Sequence, residues 1–130
     1  ARGVPGEKEL VAVDREREGG DHNTPAIVAL PRGAVMVSWD DETRGTALSE
    51  VLGRVFDRAG AALFTGVACG PEPFALSSIG VSRRAVSALV RSGDRVVALY
   101  ADASETPTDT FGLAVRGHSH VIGELAPALR

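Results

Sequence analysis

The chain has almost no cysteine, one in 130 residues, so Cys69 cannot close an internal disulfide and no CxxC redox or zinc-ribbon motif exists. It has a single lysine, Lys8; the other thirteen basic residues are arginines. Catalysis by a lysine is thereby excluded unless Lys8 supplies it, and together with abundant Ala, Gly and Val the bias suits a GC-rich bacterial coding sequence. There is no excess of positive charge: seventeen acids against fourteen bases leave a net charge of −3, which argues against a nucleic-acid partner. No stretch approaches the roughly 20 apolar residues of a membrane-spanning helix. Aromatic residues are sparse at 5%, with one Trp and one Tyr. The chain opens at Ala1 with no charged segment followed by an apolar export core, so the cytoplasm is the expected compartment. Walker loops, GxGxxG, GxSxG and HExxH are missing, which excludes the common nucleotide, hydrolase and metalloprotease signatures.

What is present is ordinary globular material, 44% hydrophobic and 24% charged, enough for one domain over residues 1–130 with a loose arm at residues 1–6. A short apolar run, Leu10 to Val13, precedes the charged run Asp14 to Glu18 and a turn-rich loop through Pro25. Ala26 to Leu30 and Ala34 to Trp39 are β-rich runs joined by Pro31-Arg32-Gly33, the pattern of a hairpin. Leu48, Val51, Leu52, Val55, Phe56 and Ala59 recur at three- and four-residue spacing and predict a helix, with Thr46 as its cap, Gly60 as its stop and Glu50 four residues before Arg54 on the polar face. Gly53 within it would cost roughly 1 kcal/mol relative to Ala, or mark a close approach. Ala61 to Cys69 predicts a strand. A second helix is predicted from Ser82, with Val81 and Val86 at staple positions, Leu89 and Val90 continuing the stripe, Arg91 in the last turn and Gly93 at its end. Strands are predicted over Arg95 to Ala101 and Phe111 to Val115, followed by a weakly helical tail from His120 to Arg130 that Gly123 and Pro127 interrupt.

Two helices cannot cover both faces of such a sheet. The expected fold is therefore α+β, a two-layer sandwich in which a mixed or antiparallel sheet carries both helices on one face. The bare face, with Ile27, Val35, Val37, Leu63, Val67, Val97 and Leu99, would be covered by further copies of the chain, a dimer or trimer.

The string Ala29-Leu30-Pro31-Arg32-Gly33-Ala34-Val35-Met36-Val37 resembles the hairpin of the RidA/YjgF family. The resemblance spans nine residues and implies a chorismate-mutase-like arrangement; a ferredoxin-like one fits the same expected sandwich. That family's ligand-binding arginine stands about eight residues before its hairpin. Here that position is His22, so the resemblance carries no deaminase chemistry.

Candidate chemistry is spread along the chain. Cys69, at an expected strand end, is a candidate nucleophile. His118 and His120 flank Ser119, and on a strand they would share one side as an acid/base pair; the acids Asp102, Glu105, Asp109 and Glu124, or His22, stand at no diagnostic metal spacing, and neither metal nor other cofactor is expected. Asp40-Asp41-Glu42 could serve as a general base or a solvated turn. Arg83 and Arg84, in the first turn of the second expected helix after Ser77 and Ser78, would bind a carboxylate or phosphate together with free backbone amides, joined by Arg116. Trp39 and Tyr100 would line the pocket. The expected function is an oligomeric protein holding an anionic small molecule near a subunit interface, with hydrolase- or lyase-type chemistry if catalytic. The alternative is a non-catalytic regulatory or assembly module acting through its exposed sheet face.

Overall fold

A computed structural model describes residues 22–41, 50–77, 84–102 and 114–130. The arm at 1–6, the run Leu10 to Val13 and residues Glu42, Thr46, Leu48, Ser78, Ser82, Arg83, Glu105, Asp109 and Phe111 lie outside them.

The chain forms two antiparallel sheets in place of the expected helix-covered one. The first is ordered β1 (His22–Ala29), β2 (Val35–Asp41), β3 (Glu50–Phe56) and β4 (Phe74–Ala75); the second is ordered β5 (Arg84–Ser92), β6 (Arg95–Asp102) and β7 (Ala114–Val121). A four-residue helix, α1 (Ile122–Leu125), and a 3-10 turn at Pro127–Leu129 follow. The sheets share one core, in which Met36, Val51, Val55, Phe74 and Leu76 meet Val96, Ala98 and Tyr100. β1 runs alongside β5. Ile122, Leu125, Ala126 and Leu129 plug one end of the core.

The expected α+β sandwich is thus corrected: both predicted helices are strands, and the chorismate-mutase-like and ferredoxin-like arrangements fall with them. The reason for the first is burial on two sides. In β3, Val51 and Val55 stand across from Asp40 and Met36 on the inward face, while Leu52 and Phe56 stand across from Trp39 and Val35 on the outward one. Every residue of β3 is buried. A strand covered on both faces has no reason to alternate, and its apolar residues imitate a helical stripe. Gly53 is a close-approach position: a Cβ there would stand 3.0 Å from Met36 Cε, 3.1 Å from Leu76 Cδ1 and 3.2 Å from Phe74 Cζ. Three core side chains occupy the space that its missing side chain leaves.

The second imitation comes from a bulge. The β5–β6 register shifts between Val86 and Ala88, so the positions of Val86 and Leu89, three apart, both register against inward residues of β6, Tyr100 and Ala98. One extra residue converts a period of two into a spacing of three. Gly93, expected to stop a helix, instead turns the β5–β6 hairpin with Asp94, at φ 60°. Positive φ at the first central position only is the pattern of a type II′ turn, whose twist matches its strands.

The first hairpin is found as expected, with β1 antiparallel to β2 around a 3-10 turn at Pro31–Gly33, where Arg32 (φ 61°) and Gly33 (φ 74°) take left-handed backbone. The β6 strand is found as well; the last strand, expected over Phe111 to Val115, is described as β7 from Ala114 to Val121, so His118 and His120, beyond the expected strand, lie on it. Ala61 to Cys69 is not a strand: it holds the bridges Phe56 to Ala62 and Thr65 to Gly70 around a tight turn. The residues expected to form one bare face also separate. Ile27, Val35 and Val37 lie outward on the first sheet, Val97 and Leu99 outward on the second, Leu63 packs against the core, and Val67 sits on the turn. Among the described residues, no helix is long and apolar enough to cross a membrane.

Candidate ligand-binding site

The site follows from the register of β7. Arg116, His118 and His120 stand opposite Tyr100, Ala98 and Val96, so all three project to the side on which β6 is fully buried. Among the described residues β7 is the edge strand of its sheet, and cover is incomplete there. The result is an inward face that begins apolar on β6 and ends in a cation and two imidazoles on β7.

Aromatic rings hold both histidines. His118 stacks on Tyr100 with centroids 5.9 Å apart, and His120 meets Phe74 edge-on at 6.1 Å. His120 Nε2 is buried and has no hydrogen-bond partner among the described residues. Burial, and then the neighbouring His118, lowers the pKa of His120 below that of a free imidazole, since the charged ring would lose hydration and face a like charge. At neutral pH its ring is therefore uncharged, with one nitrogen able to donate and one to accept.

The other side of β7 brings a cation to the same place. Arg95 opens β6 immediately after the Gly93-Asp94 turn, and its Nη1 donates to Ser119 Oγ at 2.9 Å. Arg95, Ser119 and His120 form one wall of a cleft of about 360 Å³; the Gly66–Val67 turn and Glu124 of α1 form the other. The turn is built for this position. Thr65 N donates to Gly70 O at 2.8 Å and Ala68 N to Thr65 Oγ1 at 3.3 Å, closing the loop, while Gly66 N donates to Leu125 O at 3.0 Å and docks it on α1. A Cβ on Gly66 would lie 2.9 Å from Glu124 O, so a larger residue would push the two walls apart. Ile122 N donates to Asp94 O at 2.7 Å, which ties α1 to the hairpin carrying Arg95.

The structure brings only part of the expected site together. His118 and His120 are side by side, and His120 enters the cleft. Arg116 is half-buried beside them and engaged within the protein, outside the cleft lining. Cys69 is exposed on the turn with φ 53°, its Sγ donating to Gly66 O at 3.6 Å, and does not line the cleft. Trp39 and Tyr100 are buried residues, 4% and 1% exposed, and do not line this cleft. Arg84 begins β5 opposite Asp102 instead of opening a helix, so the expected anion site of free helical amides does not exist at that residue. Asp40 and Asp41 are buried strand residues with internal partners, not a solvated turn, and Asp41 stands directly across from a buried Glu50. Among the described residues, no group of three or more His, Cys, Asp or Glu is arranged to hold a metal ion.

As site residues, Arg95 and the Gly66 turn are not anticipated by the sequence, and Glu124 is anticipated only as an acid without metal spacing to the histidines. The only local signal was the Gly-Asp dipeptide at 93–94, which as a hairpin turn puts Arg95 at the mouth of a strand pair. Comparison of the chain with protein-family models, with curated proteins and with solved structures found no match.

Proposed function

We propose that this chain binds an anionic small molecule in the cleft between β7, the Gly66–Val67 turn and α1. The observation that carries the reading is one cleft lined by both an exposed guanidinium already oriented by Ser119 and the half-buried ring of His120, whose Nε2 has no hydrogen-bond partner among the described residues. A guanidinium with part of its donor set directed to a hydroxyl keeps the remaining donors for a carboxylate or phosphate. The neutral ring of His120 then supplies one directional hydrogen bond, or accepts a proton if the bound molecule reacts. Cys69 has no part in this reading, so chemistry of hydrolase or lyase type would rest on His120 and His118. An exposed free thiol suits a reducing, cytoplasmic setting.

The test is a titration of the intact chain with acetate, phosphate and short amino-carboxylates, followed through the imidazole proton resonances. Saturable shifts of His120, weakened roughly tenfold in Arg95→Gln, are the expected result. Shifts that ignore the substitution would overturn the reading.

A second reading, assembly through a sheet face, is favoured by exposed apolar residues. Ile27 is 66% exposed beside Val37 on the first sheet, and Val115 is 73% and Val90 47% exposed on the outward side of the second. Self-association through either would bury them, and sedimentation at micromolar concentration distinguishes a dimer or trimer from a monomer. An Ile27→Lys or Val115→Lys change should then shift the equilibrium only for the face that is used.

A further inference from the structure

Two opposite charges line the cleft without neutralising each other. Arg95 donates to Ser119, Glu124 of α1 lines the same cleft, and the two make no ion pair with each other. Resting on the reading above and narrowing it, we propose that the ligand is amphoteric: a small molecule carrying an anionic group for Arg95 and an ammonium group for Glu124. A simple anion would be drawn to Arg95 and repelled by Glu124 at the same time, so the pair discriminates against it. A molecule with both charges meets each with its complement. His120 does not alter this balance at neutral pH, because its ring is uncharged there and offers a hydrogen bond instead of a second positive charge. The volume, about 360 Å³, suits a compact molecule, at the low end of ordinary ligand pockets. Gly66 contributes by holding the carboxylate-bearing helix close, since its lack of a side chain is what lets the turn sit on Glu124 O.

The experiment is a calorimetric titration of the whole chain with acetate, methylammonium, glycine, β-alanine, 4-aminobutyrate and phosphoethanolamine. At least one of the last four should bind about tenfold more tightly than both single-charge probes. Arg95→Gln and Glu124→Gln should each remove that advantage, and Glu124→Gln should in addition strengthen acetate binding. Phosphoethanolamine as the best probe identifies the anionic half as a phosphate; an amino-carboxylate identifies a carboxylate. Acetate binding as tightly as the best two-charge probe, with no response to Glu124→Gln, would overturn the amphoteric assignment and leave the anion cleft standing. Methylammonium as the tightest probe, unaffected by Arg95→Gln, or no saturable binding of any probe at tens of millimolar, would overturn both.

Discussion

β3 and β7 are both strands that bear charged residues, yet they use them in opposite ways. β3 runs through the middle of its sheet, is covered on both faces and draws its charged side chains into internal contacts: Arg54 Nε donates to Pro71 O at 2.8 Å while its guanidinium lies 5.6 Å from the centre of the Phe56 ring. Among the described residues β7 has a neighbour on one side only, and of its inward residues Arg116 and His120 are half covered while His118 is exposed. Burial obliges a polar group to find a partner inside the protein, whereas an edge can leave it for something arriving from solution. The same contrast separates buried, engaged Asp40, Asp41 and Glu50 from Arg95 and Glu124, which are exposed at the cleft.

The sharpest way to break this comparison is at Gly53. A Gly53→Val change drives methyl groups into Met36, Leu76 and Phe74 and should destabilise the chain by about 3 kcal/mol, read from the denaturation midpoint. Gly53→Ala should cost about 1 kcal/mol, whereas in an exposed helix it would stabilise by a similar amount; the sign alone separates the two folds. Next in size after Gly53→Val is Gly66→Ala, which places a methyl against the Glu124 carbonyl and should lose about 1–2 kcal/mol along with the cleft's ligand binding. Gly93→Ala forces an L-residue to φ 60° with open space around it, so the cost is backbone strain alone, about 1 kcal/mol.

The pH dependence sharpens the other half. Because the folded pKa of His120 is lowered, the unfolded chain takes up this proton first as pH falls. Its contribution is fully present above the ordinary imidazole value of about 6.5, declines as pH drops from there to the lowered folded value, and is constant below it. His120→Phe, which keeps a ring against Phe74, should remove that portion of the pH profile in equilibrium denaturation at a series of pH values. An unchanged profile would show that the imidazole is as well hydrated folded as unfolded. The smallest effect is expected for Arg95→Gln, at most about 0.5 kcal/mol in stability despite its effect on binding, since the side chain is exposed and bonded to one hydroxyl.

The elements that could be read in advance were those whose signals are local. Pro31-Arg32-Gly33 between two β-branched runs is a turn wherever it occurs, and Val96 to Tyr100 has the composition of a strand. The histidine pair was legible only on condition of a strand there: residues two apart on a strand share a side, but the expected strand stopped at Val115, short of both, whereas β7 runs to Val121. β3 and β5 were not legible, because their spacing reflected distant events, a second covering layer in one and a bulge against β6 in the other. Nor was the cleft, whose walls come from residues 66–67, 95, 119–120 and 124.

By itself, then, the sequence determined the turn at Pro31–Gly33, the extended run from Val96 to Tyr100, the exclusion of an internal disulfide and the restriction of lysine chemistry to Lys8. Only the tertiary structure decided that Val51 and Leu52 face opposite ways into cover, that Cys69 stays outside the cleft, and that Arg95 and Glu124 share one. Local backbone preferences act within a few residues, while burial and charge opposition depend on which distant segments arrive alongside.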